Sequence, residues 1–147
     1  MRMQKFIGFE ENAASQARSL LFWTGFAFLL AHELDAVAQS EWRLLPLINL
    51  LTDESAYIVF VAAHVPLVLV LIWLFTHRSN TIRWRSQLAF DVFLCAHALV
   101  HWLMSGDTEY IFHSALSISM IFGGGVTGLV HLLLIVRANP GRNACPS

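Results

Sequence analysis

Four apolar runs decide the fold class of this chain before any motif is considered. Residues 19–38, about 56–75, 88–104 and 111–136 each approach the ~20 residues that an α-helix needs to cross ~30 Å of hydrocarbon. Backbone in hydrocarbon must satisfy its own hydrogen bonds, and runs of this length do so as helices. Charged residues make up only 13% of the chain, against roughly 25% in soluble domains. The expected architecture is all-α, an integral membrane four-helix bundle. Its transmembrane domain covers residues 19–136, between a cytoplasmic N-terminal segment, 1–18, and a cytoplasmic tail, 137–147.

Charge placement orients the bundle. Arg2, Lys5 and Arg18 precede span one, Arg78, Arg83 and Arg85 separate spans two and three, and Arg137 and Arg142 follow span four. Arg43 alone falls on the opposite side, among Glu41, Asp53, Glu54, Asp107 and Glu109. The positive-inside rule then puts both termini in the cytoplasm. A competing reading is a cleaved leader ending at Ala36-Val37-Ala38, against which stands the polar cluster His32-Glu33-Leu34-Asp35 just before it. Residues 41–51 are amphipathic and too short to cross. They read as an interfacial helix or re-entrant stretch on the outer surface, or equally as an apolar loop packed on the bundle. The net charge of −1 offers no basic surface to a nucleic acid. Cys95 lies mid-span and Cys145 in the tail, so no disulfide is expected.

Six of the seven histidines lie inside the apolar runs. Ionisable groups in hydrocarbon are costly and by default mark function. At ~1.5 Å per helical residue, His32 lies roughly 9 Å below the outer end of span one. His97 and His101 lie about 10 Å and 5 Å below the outer end of span three, and His113 about 6 Å below that of span four. His64 is placed deeper, near mid-bilayer. His97 and His101 are four residues apart and share a helix face; His32 and Asp35, three apart, also share one. Neutral imidazole is the commonest metal ligand. Zinc takes three or four such ligands, and non-haem iron takes two with a carboxylate. His32, Asp35, His97 and His101 supply the expected set, with His64 or His113 completing it. Glu33 points about 100° from His32 and reads as an outer partner or general base, and Glu41 folds back over the outer mouth or pairs with Arg43. Asp91, in the inner half, is expected to pair with Arg18 or Arg85. Each histidine also has a structural reading as a helix-bridging packing residue. That reading is preferred for His77 and His131 and stands level with the functional one for His113. Gly124 and Gly128 form a small-xxx-small pair read as tight packing.

The strings His32-Glu33-Leu34-Asp35-Ala36 with Glu41-Trp42-Arg43, Ala63-His64-Val65-Pro66, His97-Ala98-Leu99-Val100-His101-Trp102 and Gly125-Val126-Thr127-Gly128-Leu129-Val130-His131 resemble those of small bacterial four-span membrane proteins without an assigned activity. The likeness to membrane families with an H-x-x-E-E motif is looser, because this chain carries H-E-x-D. The resemblance implies a fold, a bacterial inner-membrane location and a candidate ligand set, but no reaction. It also raises the standing of His131. The i,i+4 pair is similar in spacing to the histidine boxes of membrane desaturases and hydroxylases, which are richer in histidine and face the cytoplasm.

Three functions remain open on sequence. One is a metal-dependent membrane enzyme using zinc or iron, with hydrolysis of a lipid-like substrate as its natural chemistry. The second is a non-enzyme holding a metal or a b-type haem between histidines such as His32 or His64 and His97. The third is a small subunit of a larger membrane complex or homo-oligomer, its glycine-rich face meeting a partner helix.

Overall fold

The computed structural model describes residues 2–106 and 110–138. Four helices follow in chain order: α1 (Arg2–Ala38), α2 (Asp53–Phe75), α3 (Asn80–Met104) and α4 (Ala115–Ala138). All four are long and apolar enough to cross a membrane, over Ala13–Ala38, Asp53–Phe75, Asn80–Met104 and Ala115–Arg137. Cys145, Arg142, Asp107 and Glu109 lie outside the described residues.

The boundaries depart from the sequence expectation where polar residues continue a helix or cap it. The stretch before Ser19 belongs to the same helix as span one. α3 begins at Asn80, well ahead of its apolar run, because Arg83, Arg85 and Gln87 interrupt the apolar pattern but are helix-compatible. α4 begins later than its apolar run. The Ser114 hydroxyl accepts the Ser117 N–H at 2.9 Å, which caps the helix there. Tyr110, Phe112 and His113 therefore precede α4 rather than lie within it.

The expected amphipathic helix at 41–51 is two single 3-10 turns, Glu41–Arg43 and Ile48–Leu50. Pro46 lacks the N–H a continuous helix needs, and Leu47 takes a positive φ of 74°. Trp42 is buried beneath this loop while Leu47 and Leu50 face outward. Arg43 grips Asp53 with two hydrogen bonds, Nε to Oδ1 at 2.8 Å and Nη2 to Oδ2 at 2.6 Å. Trp42 Nε1 donates to the same carboxylate at 2.9 Å. The loop is thus stapled to the first turn of α2, where Asp53 and Glu54 also complement the helix dipole.

α4 packs along both α1 and α3, whereas α2 lies against α3 and the loop with most of its surface outward. The glycines of α4 explain the close approach. A Cβ at Gly125 would stand 2.7 Å from Ala98 Cβ, and one at Gly128 would stand 3.0 Å from Leu94 Cβ. Hydrocarbon offers no hydrophobic drive between helices, so intimate contact of this kind holds them together. The glycine face is consumed inside the chain, against the expectation of the subunit reading that it meets a partner. Phe22, Phe75 and Phe90 close the half of the bundle that holds the α2–α3 turn edge to face, at 4.9 to 5.7 Å between ring centroids. Trp42, Phe60, Tyr110 and Phe112 fill the half next to the 41–51 loop. The polar interior lies along this aromatic packing.

Candidate metal centre

His32 comes from α1, His97 and His101 from successive turns of α3. Their rings converge in the half of the bundle next to the 41–51 loop, with centroids 4.9 Å (His32–His97), 5.2 Å (His32–His101) and 4.5 Å (His97–His101) apart. One nitrogen from each ring lies within 4.8 Å of the others. His32 and His101 are buried, and Phe112 packs on both rings at 5.4 and 5.1 Å. Among the described residues neither nitrogen of His32, nor Nε2 of His97, has a hydrogen-bond partner. A buried polar atom without a partner costs about 1–3 kcal/mol. The unpartnered nitrogens of His32 and His97, in a group whose three rings each bring one nitrogen close to the others, describe donors arranged for a cation.

Tyr110 supports the third ligand. Its hydroxyl lies 3.0 Å from His101 Nδ1. Burial, with Glu41 nearby, pushes the Tyr110 phenol up, so it stays protonated. For Nε2 of His101 to serve as a ligand, Nδ1 must carry the proton and donate to the tyrosine oxygen. An outer partner of this kind fixes the tautomer and ring orientation, and its removal typically costs 10–100-fold in metal affinity. Tyr110→Phe is therefore expected to weaken zinc binding by about 10–100-fold in competition titration with a chromophoric chelator. An unchanged affinity would show that the tyrosine does not orient His101.

The carboxylates divide among different partners. Glu41 lies over the cluster with an oxygen 3.9 Å from His32 Nε2. It is free to do so because Arg43, its expected alternative partner, is bound to Asp53. Burial first, then the nearby Glu33 and Asp35 carboxylates, push Glu41 up to about 7, against a lowering by His64. Glu33 pairs with His64, its Oε2 lying 2.8 Å from Nε2. His64 Nδ1 lies 2.7 Å from the Phe60 carbonyl, which can only accept, so Nδ1 bears a proton. The short Nε2–Glu33 contact then requires a second proton, shared by the pair. This contact also raises His64 from its expected mid-bilayer depth to the level of Glu33, next to the cluster.

Asp35 turns the other way. It accepts from the Ser117 hydroxyl at 2.5 Å, and the Ser114 hydroxyl lies 2.7 Å from Ser117 Oγ. Since Ser117 donates to Asp35, Ser114 must donate to Ser117. Asp35 thereby tethers α1 to the N-terminus of α4, where the dipole favours an anion. Residues three apart on a helix differ by about 60° in direction. That angle sends His32 toward α3 and Asp35 toward α4. His113 is exposed, its ring against Tyr110 at 5.1 Å, apart from the other histidines.

Asp91 does not pair with Arg18 or Arg85. Its Oδ2 lies 2.7 Å from His131 Nδ1, and both side chains are buried in the half of the bundle away from the histidine cluster. Depth arithmetic contains the signal. Asp91 lies ~20 Å below the end of α3 at Met104 and His131 ~24 Å below the start of α4 at Ala115, nearly the same level. Tyr110 had no comparable signal, because only the folded path of 110–114 brings it to His101.

The helices and the histidine cluster define a class: an all-α protein with four helices of membrane-spanning length and a largely buried three-histidine group that could hold a metal ion. Residues 18–138 match the model of a family of unknown function, DUF6713, and the chain belongs to that family. The match takes in every candidate ligand. No curated protein and no solved structure matches.

Proposed function

We propose that His32, His97 and His101 hold a divalent metal ion, for which zinc is the best fit, and that the site hydrolyses a lipid-like amphiphile entering from the bilayer. The observation that carries this reading is the convergence of three imidazoles, those of His32 and His101 buried, with unpartnered nitrogens on His32 and His97 among the described residues. Three neutral nitrogen ligands with a fourth position open are the pattern of catalytic zinc. Iron of the facial-triad type wants two histidines and a carboxylate, and Asp35, the expected carboxylate, is turned toward Ser117. Haem fits less well. A porphyrin would have to part His32 from His97 while His101 packs against both rings.

When bound, zinc supplies Lewis-acid polarisation of a carbonyl and a water acidified toward ~7. The protein's part is to hold protons and to place the substrate. Glu41, at the edge of the cluster, is positioned to take and return a proton at the reacting centre. The Glu33–His64 pair, already sharing a proton, stands beside it as a reserve and orienting group. Substrate placement is supported by an apolar groove of about 400 Å³ between α1, α2 and α3. Glu33 marks one end and Phe75 the other. Leu29 and Phe93 line it, one turn from His32 and His97, and the Phe93 ring stacks on His97 at 5.6 Å. Along α2, from Leu67 to Phe75, the groove runs ~12 Å. That length takes a hydrocarbon chain lying within one leaflet, with its polar end at the cluster.

Zinc-loaded protein in detergent is expected to cleave a fluorogenic fatty-acyl ester, to lose turnover on chelation and to regain it with zinc. Glu41→Gln is expected to lower kcat by about 10²–10⁴-fold, the usual contribution of a general base, while zinc content stays whole. A fully zinc-loaded protein that turns over neither acyl esters nor acyl amides would remove the enzymatic reading and leave the metal site standing.

A further inference from the structure

At the opposite end of the bundle a second polar cavity, of about 320 Å³, is lined by Ser15, Arg18, Ser19, Arg83, Gln87 and His131 among others. It lies ~21 Å from the histidine cluster, measured along α1 from His32 to Arg18. Among the described residues its wall carries two guanidinium groups and no carboxylate. Arg18 is half-buried, and among the described residues it has neither an ion-pair nor a hydrogen-bond partner. Arg83 uses Nη1 on the His77 carbonyl at 3.3 Å and Nη2 on Asn80 Oδ1 at 2.5 Å, which leaves other N–H donors of its five unspent. Asp91 is engaged by His131 Nδ1, and among the described residues it pairs with neither arginine. A half-buried arginine without a counter-charge, beside a second arginine, is electrostatically incomplete.

Depth identifies the missing group. Arg18 lies 20 residues before Ala38, ~30 Å along α1 and a full hydrocarbon thickness away. That places the cavity at the membrane face opposite the cluster, where phosphate groups of lipids lie. Its volume equals roughly ten waters of liquid, enough for a polyatomic anion. Planar arginine forks, with serine and glutamine donors beside them, match phosphate oxygens.

We propose that this cavity binds a phosphate group, as a second site independent of the metal-centre reading. The group is supplied either by an anionic phospholipid of the facing leaflet or by free phosphate. The test uses the full chain in mixed phosphatidylglycerol–phosphatidylcholine micelles, read by native mass spectrometry, with inorganic phosphate titrated separately against the thermal midpoint. Retention of phosphatidylglycerol over phosphatidylcholine, without a phosphate-induced shift, assigns the lipid headgroup. A midpoint raised by inorganic phosphate assigns the free ion. In either case Arg18→Gln is expected to weaken binding at least tenfold, and Arg18→Lys, which keeps the charge and loses the fork, to fall between. Circular dichroism checks that both variants keep their helices; should Arg18→Gln not fold, Arg18→Lys alone decides. Equal retention of the two lipids with no response to phosphate, or wild-type binding by the folded variants, overturns the proposal.

Discussion

His32→Leu is expected to move metal affinity and metal-free stability in opposite directions. Zinc affinity falls by more than ~100-fold, beyond the 10–100-fold typical of losing an outer partner such as Tyr110. In chelator, the same variant is as stable as the parent or more stable, by up to about 1–3 kcal/mol, because it removes a buried imidazole neither of whose nitrogens is satisfied by the protein. The shapes are close enough for the leucine to pack against Phe112 and the α3 histidines. With zinc at ~100 times its dissociation constant, the parent gains about 2.7 kcal/mol and the variant gains nothing. The stability order of the two proteins therefore inverts with metal. A packing histidine behaves differently: its removal costs stability with and without zinc. Unfolding in mixed detergent micelles, run with chelator and with zinc, separates the two cases.

Asp91→Ala is expected to be the most destabilising single substitution at a site remote from the metal centre, by about 3–5 kcal/mol. The carboxylate and His131 are both buried and bound to each other at 2.7 Å. Removing one leaves the other without its partner, in a region where Phe22 packs on the imidazole at 5.3 Å. The double replacement Asp91→Leu with His131→Leu leaves nothing unpaired and is expected to cost far less than the single one. Hydrogen bonds between neutral groups in membranes average nearer 0.6 kcal/mol. A single-variant cost of that size would show a weak neutral contact in place of a buried charge pair.

Single-helix geometry was legible in the sequence. Apolar run lengths gave the four helices, and the four-residue spacing of His97 and His101 gave one face. Counting residues from the helix ends put His32 at their level. All of these follow from the rise and pitch of a helix and need no knowledge of its neighbours. The rotation of one helix against another was not legible. Asp35 shares a face with His32 in one dimension, yet the bundle sends it to Ser117. His64 was placed too deep because its level depends on how far α2 extends beyond the end of α1, which the stapled loop sets through Arg43 and Asp53. His113 was counted into α4 because its neighbours are apolar, although Ser114 carries the hydroxyl that caps the helix after it. Glu41 had two open partners until the loop's path gave Arg43 to Asp53.

Zinc content is the most direct measure of the three-histidine centre. The full chain, purified in detergent at neutral pH and incubated with zinc before removal of the excess, is predicted by elemental analysis to carry one zinc per chain. His113→Ala is predicted to carry the same amount, and His97→Ala with His101→Ala to carry none. A folded protein with no stoichiometric metal, or a double variant that keeps it, would contradict the account.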